Sequence, residues 1–182
     1  MENEKEQWTK KAVVKEFLSW VLVIVAAFLL GYVLNNYIIL KAEVPSGSMR
    51  NTIMEGDRLL GLKVAYLFSE PERGDIVMFP YPDNEEELYV KRIIGMPGET
   101  VEIIDGKVYI DGSEEPLEEP YLPEEMIGSY GPYEVPEGCY FMLGDNRNIS
   151  KDSREWENKF VEEDKIEAKV VLRYAPSIST LE

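Results

Sequence analysis

Val101-Glu102-Ile103-Ile104-Asp105-Gly106-Lys107-Val108-Tyr109-Ile110 reads as a strand, a two-residue turn and a second strand. Both central positions of such a turn need positive φ, which Asp-Gly accepts, so the turn also sets the pairing register. Outward from this hairpin the same style of sequence continues. Short apolar or alternating stretches at 59–64, 76–79, 89–94, 140–143 and 166–174 are cut by Gly and Pro and are expected strands. Residues 111–138 hold five prolines and many glutamates, so they are expected to form a long irregular excursion with a short strand or two. A helical turn is expected near 154–158. The fold class is therefore mainly β, a folded-over or closed sheet, with no internal repeat.

The chain before this region has a different character. From Phe17 to Leu40 there are 24 positions without a charged residue. As a helix this run spans roughly 36 Å, against a hydrocarbon core of about 30 Å. A core helix of a soluble protein is rarely so long and so uniformly apolar, so one N-terminal transmembrane helix is expected, with Trp20 and Tyr37 near its two interfaces. Ile38-Ile39-Leu40-Lys41-Ala42-Glu43 lacks a small-x-small cleavage site, which favours an uncleaved anchor over a signal peptide. The expected division is 1–16 as a cytoplasmic segment, 17–40 as the span and 41–182 as an extracytoplasmic β-rich domain. Lys5, Lys10, Lys11 and Lys15 precede the span, while Lys41, Arg50 and Arg58 follow it, a small bias toward a cytoplasmic N-terminus.

Composition prunes the chemistry. With 182 residues there is room for one anchor and one compact domain. The formal net charge is −16, and residues 1–16 contribute nothing to it, since four lysines balance four glutamates. A phosphate-neutralising protein needs a basic face, so nucleic acid is not an expected partner. There are no histidines, so a Ser-His-Asp triad and any imidazole-bound zinc are excluded. The one cysteine, Cys139, stands beside Tyr140 and Phe141 and reads as a small buried hydrophobe. No metal and no cofactor is expected.

Three segments carry reactive groups. Val44-Pro45-Ser46-Gly47-Ser48-Met49 presents two hydroxyls in a Gly-containing turn, where one can attack while the other, or a main-chain amide, donates to an oxyanion. By itself Ser-Gly-Ser is common in ordinary loops. In Tyr89-Val90-Lys91-Arg92-Ile93-Ile94 strand alternation puts Lys91 on one face with Tyr89 and Ile93. Burial there disfavours the charged amine and lowers its pKa, so that it can take a proton from a hydroxyl. The competing reading is an edge lysine that discourages aggregation. Gly144-Asp145-Asn146-Arg147-Asn148-Ile149-Ser150-Lys151-Asp152-Ser153-Arg154 is a polar loop that could simply turn the chain, or could cross-brace Asp145, Arg147, Asp152 and Arg154.

The segments occur in one order: a span, then Pro-Ser-Gly-Ser-Met, then Gly74-Asp75-Ile76-Val77, then Lys91-Arg92-Ile93-Ile94-Gly95-Met96-Pro97-Gly98-Glu99, then Gly144 through Arg154. This order strongly resembles the type I signal peptidases, serine-lysine enzymes that release exported proteins from their signal peptides. The resemblance covers about residues 15–175 and is closest in style to the bacterial, Gram-positive members; the eukaryotic and archaeal type has histidine in place of the lysine.

The resemblance implies Ser48 as nucleophile and Lys91 as general base. It implies Ser46 and the Ser48 amide as oxyanion donors, Ser150 as the hydroxyl that orients the lysine, and Asp152 with Arg154 as a brace, with Asp145 pairing Arg92 in the same way. It further implies that substrate binds as an added strand, with small residues at −3 and −1 entering shallow apolar pockets for which Val44 and Val90 are the candidate lining. The expected partners are signal peptides of exported preproteins and the lipid bilayer, at the cytoplasmic membrane. Two segments depart from the family pattern. Asn51 stands where proline is usual, which is expected to loosen the turn, and Asn148-Ile149 replaces the usual Asp-Asn. A self-cleaving repressor of similar core is disfavoured by the span and by the lack of a DNA-binding segment. A non-catalytic tethered β module is the alternative from another class.

Overall fold

The computed structural model describes residues 2–67 and 69–181, with helix side chains described from residue 12. Met1, Phe68, Glu182 and the side chains of Lys5, Lys10 and Lys11, counted above for orientation, lie outside the described residues. Two units, residues 1–38 and 39–182, are compact in themselves.

The first unit is helix α1, Glu2–Val33, which ends in one wider turn of π geometry, Leu34–Ile38. Asn36 donates its side-chain amide to the Tyr32 carbonyl at 2.8 Å within that turn. The segment Ala12–Ile38 is long and apolar enough to cross a membrane. A helix suits that setting because it satisfies every backbone polar group within the segment. The expected span of 17–40 overshoots it by two residues. Ile39 and Leu40 pair with Leu62 and Gly61 as the start of a strand, since β-branched and apolar residues at the helix end serve either structure.

Among its described residues the second unit has eleven strands. They are β1 (Ile39–Glu43), β2 (Arg58–Leu62), β3 (Ile76–Tyr81), β4 (Asn84–Gly95), β5 (Thr100–Ile104), β6 (Lys107–Ile110), β7 (Tyr130–Glu134), β8 (Cys139–Leu143), β9 (Phe160–Glu162), β10 (Ala168–Ala175) and β11 (Ser179–Thr180). The larger sheet runs β1-β2-β10-β3-β4-β8-β9, with β11 on β10, and a smaller sheet runs β6-β5-β7. All pairs are antiparallel. Among the described residues β1 and β9 each have one neighbour, so the larger sheet has two edges and is not closed on itself.

Strand β3 shows why it folds. Ile76 and Met78 pack into one apolar cluster with Val44, Met49, Ile53 and Leu59, while Val77, Phe79 and Tyr81 pack into another with Tyr140, Met142 and Trp156. A strand covered on both faces must be apolar at nearly every position, which is how β3 reads. A third cluster, including Val101, Ile103, Val108, Phe141 and Leu143, joins the small sheet to the large one. The Asp-Gly turn forms as expected, with Asp105 at φ 47 and Gly106 at φ 81.

Other differences are instructive. β4 begins at Asn84, so Glu85, Glu86 and Glu87 lie in a strand that the apolar pattern alone misses. Exposed charges on such a ribbon discourage edge-to-edge pairing. The helical turn expected near 154–158 lies two residues earlier, where Glu155 and Trp156 donate their amides to the Asp152 carbonyl at 2.8 and 3.1 Å. The 111–138 excursion contains one strand, β7.

A Cβ on Gly106 would sit 1.9 Å from the Met126 carbonyl oxygen, at a φ that already strains other residues. Gly106→Ala is expected to lower stability by about 2–4 kcal/mol, read as a shift of the urea midpoint of the full chain in detergent.

Candidate active site

The turn after β1 is a peg in the core. Met49 and Ile53 are buried in the first apolar cluster, and the Ile53 amide donates to the Met49 carbonyl at 2.8 Å. Val44 is held against residues 56 and 57 by two backbone hydrogen bonds, Val44 to the Asp57 carbonyl at 2.9 Å and Gly56 to the Val44 carbonyl at 2.8 Å. Between these anchors Gly47–Met49 makes one tight 3-10 turn, which lifts the Ser48 hydroxyl out of the backbone.

Strand β4 brings Lys91 to it. Lys91 pairs with Val77 of β3 and is 3% exposed. Its Nζ donates to Ser48 Oγ at 2.6 Å and approaches the Val90 carbonyl at 3.3 Å. No carboxylate forms an ion pair with it among the described residues. Burial lowers its pKa from 10.5 to about 8, and the charges of Asp152 and then Asp145 oppose that shift. The edge-lysine reading is thereby excluded: this amine is inside.

Those two acids are already committed. Arg92 Nε and Nη2 grip the two oxygens of Asp145 at 2.9 and 2.8 Å, and Thr52 Oγ1 donates to Asp145 Oδ2 at 2.5 Å. Arg154 Nε and Nη2 likewise grip Asp152 at 2.7 and 2.9 Å, and the Gly144 amide donates to Asp152 Oδ2 at 3.1 Å. Both pairs are buried and bidentate, the geometry in which an ion pair offsets its desolvation best.

Ser46 Oγ lies 3.4 Å from Ser48 Oγ, a long contact that leaves its hydroxyl on the cleft. Ser150 differs from expectation. Its Oγ is buried with no hydrogen-bond partner among the described residues, so the expected bond to Lys91 is not made. The amine turns to Ser48 and the Val90 carbonyl instead. Val44 and Val90 both line a cleft of about 620 Å³ beside Ser48 and Lys91, with Met49, Leu88 and Ile149 adding apolar surface.

The two departures from the family pattern have structural answers. Asn51 takes φ 86, which proline cannot adopt, so the turn is rerouted and not merely loosened. Arg50 then pairs with Glu55 through two nitrogens, at 3.1, 2.8 and 2.7 Å. Asn148 accepts the Ile127 amide at 2.9 Å and donates to Glu124 and the Glu125 carbonyl at 2.9 and 3.1 Å. Ile149 is exposed on the cleft rim.

Sequence reasoning missed what the 111–138 excursion does. Glu119 forms a two-pronged ion pair with Arg147. The Tyr121 ring lies 3.9 Å from the Arg92 guanidinium, and the Tyr130 ring 5.2 Å from that of Arg154. The excursion therefore caps all three arginines around the site. An aromatic or acid in a Pro-rich stretch carries no sequence mark of its distant partner. Asn146 was also missed as a functional group. Its side-chain amide donates to the Gly47 carbonyl at 2.9 Å, and its backbone amide to the Ser48 carbonyl at 3.0 Å.

Comparison with known proteins gives a consistent result. Residues 17–175 match the family described as signal peptidase, peptidase S26. The chain is 37% identical over 157 residues to a protein of Synechocystis named probable signal peptidase I-2, covering 84% of this chain and 70% of that one. It is 37% identical over 162 residues to a signal peptidase I of Bacillus licheniformis, covering 84% of each. A crystal structure of a signal peptidase I from Enterococcus faecalis superposes with a TM-score of 0.48 at 38% identity, covering 56% of this chain and 97% of that one.

Two substitutions test the electrostatics. Asp145→Ala leaves Arg92 buried and unpaired, and is expected to cost about 3–5 kcal/mol in thermal or urea unfolding. Lys91→Met removes a buried amine. With the folded pKa near 8 and the unfolded one near 10.5, the folded state binds fewer protons in that window, so wild-type stability rises with pH there. Lys91→Met is expected to be more stable than wild type at pH 7, by on the order of 3 kcal/mol, with the difference shrinking from pH 8 to 10.5.

Proposed function

Since the chain belongs to the signal peptidase family, peptidase S26, as a type I enzyme and a serine protease, we propose that Ser48 is its nucleophile and Lys91 its general base, in a membrane-tethered endopeptidase that cuts signal peptides from exported preproteins. The observation that carries this reading is the 2.6 Å contact between Ser48 Oγ and the amine of a buried lysine. A lysine with pKa about 8 is partly neutral near physiological pH, so its lone pair is available as a base.

The steps follow from the groups at hand. Neutral Lys91 takes the Ser48 proton as Oγ attacks the carbonyl of the residue before the cut. The oxyanion is held by the Ser46 hydroxyl and the Ser48 amide. The protonated Lys91 then gives its proton to the leaving amine, which departs as the new N-terminus. Water, losing a proton to the same lysine, attacks the acyl carbon; Ser48 Oγ leaves and takes that proton back from Lys91, which frees the acid and restores the neutral amine. Asp145 with Arg92 and Asp152 with Arg154 brace the framework, and Ser150 offers its free hydroxyl to Lys91 once the serine is acylated and the amine must find another partner.

Binding uses main chain. Among the described residues β1 pairs only with β2, and Leu88, Tyr89 and Val90 of β4 pair only with β3, so two strand edges border the cleft. An extended peptide laid between them would satisfy those edges as an added strand. Val44 and Val90 would then meet its small side chains at −1 and −3. The Ala12–Ile38 helix serves as the anchor, with the N-terminus in the cytoplasm and the β domain outside.

The test is cleavage of a preprotein by the purified full-length protein in detergent. Wild type is expected to cut, and Ser48→Ala and Lys91→Ala to fall by at least about 1,000-fold. Activity is expected to rise about tenfold per pH unit below pH 8 and to level off above it. A rate flat from pH 6 to 10 contradicts Lys91 as base, and no cutting by wild type sinks the enzymatic reading.

A further inference from the structure

We propose that Asn146 is a positioning residue that aims the Ser48 amide, the main-chain donor of the oxyanion site. The inference rests on the serine-lysine reading above and adds a group to it.

A trans peptide is a rigid plane in which the carbonyl and the following amide point in opposite directions. The Gly47 carbonyl and the Ser48 amide share one such plane. Asn146 Nδ2 holds that carbonyl at 2.9 Å, so the Ser48 N–H is turned the other way, away from Asn146, beside the cleft that Ser46, Ser48 and Lys91 line. The next plane, which joins Ser48 to Met49, is held by the Asn146 backbone amide on the Ser48 carbonyl at 3.0 Å. One residue thus fixes both peptide planes that flank the nucleophile, and with them the backbone dihedrals of Ser48.

Asn146 is itself immobile. It is 5% exposed, and its carbonyl accepts the amides of Ile149 and Ser150 at 3.1 and 2.9 Å. Its neighbour Arg147 is locked on Glu119 and on the Gly144 carbonyl. The approach of loop to nucleophile is so close that a Cβ on Gly144 would meet the Ser48 carbonyl oxygen at 2.5 Å. The Arg50 amide also donates to the Gly47 carbonyl, at 3.1 Å, but it belongs to the same short turn and cannot tie that turn to the rest of the site. Asn146 supplies the outside reference.

The experiment compares wild type with Asn146→Ala and Asn146→Asp in the full-length protein. Alanine removes the donor, and aspartate sets an acceptor against the Gly47 carbonyl. Both are expected to lower kcat by about 10- to 100-fold with KM within about twofold, since a misaimed donor is missed mainly in the transition state. In Asn146→Ala the midpoint of the pH profile is expected to stay that of wild type, because Lys91 and the charges around it are untouched. A peptide aldehyde, which adds Ser48 Oγ and forms an oxyanion, is expected to bind weaker by a similar factor, and the corresponding peptide alcohol to bind unchanged. Full activity in both variants overturns the proposal. So does a rate loss that matches only a fall in folded protein, or equal weakening of aldehyde and alcohol. A wild type that cuts nothing is a failure of the serine-lysine reading, separate from these outcomes.

Discussion

The chemistry of the site depends on keeping one lysine amine buried without a carboxylate of its own. Lys91 touches Ser48 Oγ and the Val90 carbonyl, and both are neutral. An acid paired directly to it would hold the proton on and raise its pKa. The nearby acids, Asp145 and Asp152, would do so if left free. Each is instead taken by two nitrogens of its own arginine, Arg92 or Arg154, so desolvation stays the largest influence on the amine. Arginine suits this task, since its planar fork matches a carboxylate and its charge does not titrate near neutral pH.

That arrangement demands support, because two buried ion pairs are costly to place. The support comes from the long excursion between β6 and β8. It lays Tyr121 on Arg92 and Tyr130 near Arg154, and ties Glu119 to Arg147. The same excursion is joined to the loop again through Asn148. A segment that looks like an irregular insertion is therefore the outer wall of the charge network. The acidic character of the chain has a local use here, with Glu119 neutralising the third buried arginine.

Much of the architecture was legible. The Asp105-Gly106 turn, the doubly apolar β3 and the alternation at Lys91 each follow from local periodicity, and each forms. The pair of Asp145 with Arg92 was legible only through the ordered motifs, since no spacing rule links residues 53 positions apart, whereas Asp152 and Arg154 stand two apart in one polar loop. What stayed hidden has a common cause. β1 lies at the end of an apolar run that satisfies a lipid-spanning helix equally well. The first half of β4 is polar because it is exposed, so it has no apolar signature. Ser150 lies in the loop the motif marks, but its hydroxyl has no hydrogen-bond partner among the described residues, and the Lys91 amine bonds to Ser48. Asn51 shows the converse, a departure from pattern that reads as damage and is answered by a left-handed backbone that proline could not supply.

The central claim is that the Lys91 amine loses its proton near neutral pH because it is buried. The direct measurement is an NMR titration of the full-length protein with lysine labelled at Cε, with Lys91→Met used to assign the resonance. The account predicts one lysine titrating near pH 8, well below the rest. A Lys91 resonance that titrates with the surface lysines, at about 10.4 or above, would contradict it.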